Sequence, residues 1–333
     1  MLRKVIFNIC IIFLFTVSSF AQTIKILNSG DKISLRGLSV VDDKVVWVSG
    51  STGKVGRSVD GGNTWKWFTV KGFEKNDFRD IEAFSETTAI IMAVAEPAYI
   101  LKTIDGGESW KVVYENKTKG MFLDAMEFPN QKSGVAIGDP IKGIFFMTMT
   151  NDGGNTWKDV EQKYCPVADS GEACFASSGT NIRMISGGNF CFVSGGTHSN
   201  LITGFRRIHL PVIQGKESTG ANSIAIKDDY TFIVVGGDFA NKDSVNDNCV
   251  FTYDGGTRWS HPSISPHGYR SCVEYLSGNS WISCGLNGVD VSTDNGKTWK
   301  LISKESFHAC RKAKNGKAVF LSGNNGNIGV LVL

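Results

Sequence analysis

The chain has 333 residues, with 35 Lys and Arg against 32 Asp and Glu, a net charge of +3 that gives no reason to expect nucleic acid as a partner. Its 38 glycines exceed the usual ~7% share, while 7 prolines, 21 phenylalanines and 8 tryptophans suit strands joined by tight turns. No apolar run beyond the N-terminal one approaches the ~20 residues of a membrane span, so the composition argues against an integral membrane protein.

The first 21 residues read as an export signal. Arg3 and Lys4 precede an apolar run over 5–17, and Ser19 and Ala21 put small residues before a cleavage point at Gln22. Cys10 sits inside the run and not after a small-residue box, which disfavours lipid attachment. Residues 22–333 are expected outside the cytoplasm, in a bacterial periplasm or beyond the cell. Their seven cysteines, at 165, 174, 191, 249, 272, 284 and 310, leave at least one thiol unpaired. Cys165 and Cys174 make the most plausible local disulfide; seven small buried apolar residues is the equal alternative.

Along the rest of the chain an alternating strand, a short turn and an apolar strand ending in a small residue recur. The copies are 35–41 with 45–50, 78–84 with 89–95, 122–128 with 134–138, 181–185 with 190–195, 223–226 with 231–236, 269–276 with 280–285, and 307–313 with 318–323. Five copies of one octapeptide follow these pairs. They are Ser58-Val-Asp60-Gly-Gly-Asn-Thr-Trp65, Thr103-Ile-Asp105-Gly-Gly-Glu-Ser-Trp110, Thr150-Asn-Asp152-Gly-Gly-Asn-Thr-Trp157, Thr252-Tyr-Asp254-Gly-Gly-Thr-Arg-Trp259 and Ser292-Thr-Asp294-Asn-Gly-Lys-Thr-Trp299. The aspartates lie 45, 47, 102 and 40 residues apart. The long gap spans two periods and predicts a degenerate copy near 200–210.

The octapeptide has the chemistry of a turn. Asp accepts backbone N–H groups, the glycines take positive φ, and Trp opens the next strand by packing between sheets. One carboxylate per copy is too few for a calcium site. A period of about 45 residues fits four short strands plus turns. The fold predicted is an all-β, seven-bladed β-propeller of four-stranded antiparallel blades. Its blades cover about 34–70, 78–115, 121–162, 180–214, 221–263, 269–303, and 306–333 completed by strand 23–28, which closes the ring and removes exposed sheet edges.

The octapeptide, the pattern [S/T]-x-D-x-G-x-[S/T]-W, is the Asp-box, and the chain resembles Asp-box (BNR-repeat) propellers. The succession of units is similar to the photosystem II stability/assembly-factor family and its non-photosynthetic bacterial relatives, and more distantly to sialidase-type propellers. The resemblance covers nearly all of 22–333. It implies a binding or assembly role; the sialidase likeness implies glycoside hydrolysis instead. No G-x-G-x-x-G follows a first strand, so nothing supports a dinucleotide cofactor or any other cofactor.

With the Asp-boxes on the bottom rim, the long insertions 164–179 and 238–248 fall on the top face, where loops over a rigid scaffold carry function. Arg36, Arg79, Arg270 and His308 occupy early positions on innermost strands, with Arg183 nearby. Asp80 and Asp124 follow on neighbouring inner strands, Glu96, Asp139 and Asp238 end second strands, and His198, Glu172 and Tyr269 lie on adjacent loops. Converging guanidinium groups suit a carboxylate or other anion.

The leading expectation is a non-catalytic, monomeric exported propeller that binds an envelope protein or an anionic ligand at this mouth. The alternative is a glycoside hydrolase. There Arg36, Arg79 and Arg270 would hold an acidic sugar, Tyr269 would be the nucleophile and Asp80 or Asp124 the acid, or Glu96 and Asp139 would act as a carboxylate pair. Against it, the Arg-Ile-Pro segment typical of sialidases is missing and no Glu is placed beside Tyr269. A purely structural module in a larger complex is the third class, and mutual charge compensation is the plainer reading of the mouth. Five scattered histidines give no metal-ligand spacing.

Overall fold

A computed structural model describes residues 22–27, 30 and 32–332; the expected signal segment lies outside these. Seven antiparallel sheets form a seven-bladed β-propeller, and successive strands of a blade, a to d, run from the axis outward. Blade 1 comprises Leu35–Val40, Val46–Gly50, Lys54–Ser58 and Lys66–Thr69. Blade 2 comprises Phe78–Ala83, Ala89–Ala93, Ala98–Thr103 and Lys111–Asn116. Blade 3 comprises Leu123–Glu127, Gly134–Ile141, Ile144–Thr150 and Lys158–Asp159. Blade 4 comprises Ile182–Met184, Phe190–Val193, Asn200–Thr203 and Arg206–His209.

Blade 5 has Thr219–Ile226, Phe232–Asp238 and Cys249–Thr252. Its outer strand shrinks to a bridge between Phe251 and Ser260, because Pro262 brings no N–H to extend the ladder. Blade 6 has Cys272–Ser277, Ser280–Gly285, Gly288–Ser292 and Lys300–Ser303. Blade 7 has Ala309–Lys312, Val319–Ser322 and Ile328–Val332, with Thr23–Leu27 as its outer strand. Thr23 pairs with Val332 and Leu27 with Ile328, so the two ends of the chain close the ring as the sequence predicts.

The octapeptides are the c–d turns. In the first, Asp60 accepts the backbone N–H of Thr64 at 2.9 Å and its hydroxyl at 2.6 Å, while Ser58 Oγ accepts the N–H of Gly62. Gly61 and Gly62 have φ of +74° and +82°, conformations that a side chain disfavours. In the fourth copy Arg258 replaces the hydroxyl residue, and its Nε–H donates to Asp254 at 2.9 Å. Each tryptophan reaches back to the preceding blade: Trp110 meets Trp47 edge-on at 6.4 Å, and Trp157 packs in the cluster of Ile90 and Met92. The degenerate copy expected near 200–210 is instead a two-residue hairpin in which Thr203 pairs with Arg206 across Gly204 and Phe205.

The seven cysteines among the described residues are all buried free thiols. The local disulfide does not form; Cys165 and Cys174 instead fill the apolar cluster around Phe145, Ile182 and Phe192.

The seams between innermost strands carry a recurring polar stitch. Asp80 of blade 2 accepts the N–H of Met126 in blade 3 at 2.8 Å, and Ser223 of blade 5 accepts that of Val273 in blade 6 at 3.0 Å. Between blades 6 and 7 the acceptor is Cys272 Sγ, taking the N–H of Cys310 at 3.3 Å.

Candidate functional site: two axial cavities divided by a plug

Near the top of most blades, strand a carries a bulge that turns one side chain toward the axis. Arg36, Arg79, Asp124 and Asn222 hold this position in blades 1, 2, 3 and 5. Ser271 and His308 precede the first strand pairs of blades 6 and 7.

The insertion over 164–179 does not stay on the rim. Its last residues enter the channel and bind four other blades. Ser177 O accepts from Arg36 at 3.3 Å, and Ser177 Oγ donates to Asn222 at 2.8 Å. Ser178 Oγ donates to Ser271 O, and Gly179 O accepts from Arg311, both at 2.8 Å. Gly179 has φ +64°, and a Cβ there would collide with the Asp80 carboxylate. This plug lies between a top cavity and a bottom cavity.

The top cavity, about 410 Å³, is lined by Arg36, Arg79, Asp139, His308 and Tyr269 with apolar walls from Phe122, Phe175, Phe239 and Leu286. Arg79 pairs with Asp77 at 2.7 Å and lies over the Phe122 ring. Burial, then the neighbouring Arg79 charge, pushes the Arg36 guanidinium below its ordinary range, so both cations would gain from an anion. His308 is held neutral, its pKa pushed down to about 4 by burial and by Arg36, and it hydrogen-bonds Asn324 at 2.9 Å.

Asp124 is buried beneath this cavity, beside the backbone N–H groups of Ala176 and Asp139. Burial and the nearby Asp139 push it well above the carboxylate range. Asp139 accepts the N–H of Cys174 at 2.9 Å, and burial raises it to about 6.

Other residues singled out in the sequence lie elsewhere. Arg270 is closed to solvent and paired with Asp290, Asn287 and Tyr269 O, so it offers nothing to a ligand. Arg183 lies at the opposite end of the channel between Glu127 and Glu274, at 3.5 and 3.3 Å. No arginine triad therefore assembles. Tyr269 donates its hydroxyl to Asn222 at 2.8 Å, with burial raising its pKa to about 12. Asp80 is inside the seam, Glu96 is exposed and accepts the Gly120 N–H, and Asp238 caps its own loop through Ala240. Glu172 is buried against Ser194 and Asn200, and His198 is exposed beside Thr197.

The bottom cavity, about 520 Å³, was not apparent in the sequence. Glu82, Glu127, Arg183, Glu274, Arg311 and Lys314 line it and pair among themselves, as in Lys314 with Glu82 at 2.5 Å. The signal for it is a glutamate recurring three positions beyond Arg79, Asp124 and Ser271: Glu82, Glu127 and Glu274.

These features define a seven-bladed β-propeller built on repeated Asp turns, with a plugged axial channel and a cavity at its top. The chain belongs to the family described as Photosynthesis system II assembly factor YCF48, whose model matches residues 21–328. Among solved structures it is similar to YCF48 bound to D1 peptide, at 17% identity and TM-score 0.66, covering 95% of this chain and 96% of that one. YCF48 from Cyanidioschyzon merolae is 15% identical, with TM-score 0.66 and coverage of 92% and 98%. The WD40 domain of Neurospora crassa Pan2, at 11% identity and TM-score 0.61, covers 90% of this chain and 89% of that one. Among curated proteins no sequence match was found.

Proposed function

We propose that this protein is an exported binding or assembly factor that takes a segment of a partner protein into its top cavity, with Arg36 and Arg79 receiving an anionic group of that segment. The observation that carries the reading is the cavity itself. Two guanidinium groups that share one rim stand beside Phe122, Phe175, Phe239 and Tyr269, the amphipathic lining that a peptide side chain or terminus needs. A related propeller was solved with a D1 peptide, which supports a protein segment over a free small molecule. Export rests on the leader pattern over 1–21.

The test is site-specific photo-crosslinking from position 239 in cells, comparing the parent chain with an Arg36→Ala/Arg79→Ala variant. A discrete crosslinked partner whose yield falls about tenfold or more in the variant is expected, in line with the ~1.5–3 kcal/mol of one charged hydrogen bond. An unchanged crosslink would remove the arginines from the interface. Turnover of a sialoside or uronide panel that depends on Arg79 would replace the reading with glycoside hydrolysis.

A further inference from the structure

The seam between blades 6 and 7 holds more sulfur than its stitch requires. Cys272 lies on the first strand of blade 6, Cys284 opposite it on the second, and Cys310 on the first strand of blade 7. All three are fully buried, and their Sγ atoms lie within 4.8 Å of one another, with Cys310 and Cys272 at 3.5 Å. In blade 5 a serine at the matching place, Ser223, makes the same bond to the next blade. A hydroxyl therefore suffices for the fold. Three convergent sulfurs are a property that the stitch does not explain.

The donor set is soft and lacks a fourth member. The surrounding side chains are Ile282, Val289, Phe307, Leu321 and Leu331, none of which ligates a metal. Thiolates suit zinc and monovalent copper alike, but zinc in a structural site takes four ligands, and the three sulfurs present match the lower coordination of monovalent copper. A metal–sulfur bond of about 2.3 Å in the plane of three donors spaces them about 4 Å apart, within a small adjustment of the arrangement present.

We propose that Cys272, Cys284 and Cys310 form a trigonal three-sulfur site for Cu(I) at the seam of blades 6 and 7. The ion displaces thiol protons to solvent and changes no oxidation state, because it arrives as Cu(I).

The test uses residues 22–333, reduced and anaerobic, with Cu(I) buffered by a competing chelator and supplied either to the folded protein or during refolding. About one Cu(I) per chain is expected, with a first shell of three sulfurs by X-ray absorption. Cys272→Ser, which keeps the acceptor for the Cys310 N–H as Ser223 does in blade 5, should fold normally and retain no copper. Cys191→Ala, altered in a different cluster, should retain it. Failure to hold copper after refolding, equal retention by Cys272→Ser, or a two-sulfur or four-ligand shell would each overturn the proposal.

Discussion

Arg270 donates its Nε–H to Asp290 Oδ2 at 2.8 Å with both side chains closed to solvent. Asp290 also holds His267 at 2.9 Å, so the carboxylate ties strand c of blade 6 to the loop entering that blade. A buried pair of this kind is strongly destabilising when one partner goes, because the other charge is left uncompensated. Arg270→Ala is expected to lower unfolding free energy by ~3–5 kcal/mol, read by urea denaturation. An Arg270→Met/Asp290→Leu double variant should recover much of it.

The turn aspartates define an acid limit. Asp60, Asp105 and Asp152 are held at about 2, chiefly by the hydroxyls of Thr64, Ser109 and Thr156, and Asp254 at about 2 by the Arg258 backbone N–H. A folded-state pKa below the ordinary 3.8 contributes stability above that value and loses it as pH falls toward 2. The denaturation midpoint should fall steeply between about pH 4 and pH 2. An Asp60→Asn/Asp105→Asn/Asp152→Asn variant should be less stable at neutral pH and flatter in that window.

Asp80 acts with the opposite sign. Burial lifts it to about 7 against the pull of Arg311, so the folded state binds a proton that the unfolded chain has released. Its contribution to stability declines as pH rises from about 4 to about 7. Asp80→Asn keeps an acceptor for the Met126 N–H and removes the titration. The stability difference between parent and variant should change by up to ~1.4 kcal/mol per pH unit in that window, in a pH series of urea unfolding curves.

The plug is set by one backbone conformation. Gly179→Ala places a Cβ at φ +64° against the Asp80 carboxylate, a cost of at least ~1–2 kcal/mol from the left-handed backbone alone. The variant should unfold at lower urea and weaken the plug's bond to Arg311, which a comparison with Arg311→Ala in a double-mutant cycle would register as coupling.

The propeller and its closure were legible because they rest on local, repeated chemistry. Asp60 and its four counterparts announce a turn, and the spacing of those turns counts blades. The site was legible only in part. Strand position points to Arg36, Arg79, Asp139 and His308, and loop position to Tyr269, and all five line the top cavity. Arg270 and Arg183 do not, because Asp290 claims the first and Glu127 and Glu274 hold the second at the opposite end of the channel. Asp290, which claims Arg270, is twenty residues away along the chain. The plug was read as a surface loop, since nothing local in Ser177-Ser-Gly179 signals that its partners come from four other blades.

Antiparallel pairing places Thr23 directly across from Val332. Load applied between the two ends of the described chain would therefore peel this strand pair one rung at a time, instead of shearing all its rungs together. The junction that makes the ring continuous is thus its softest point under tension, and a tether at both ends would open the molecule like a clasp while blades 2 to 5 remained unstrained.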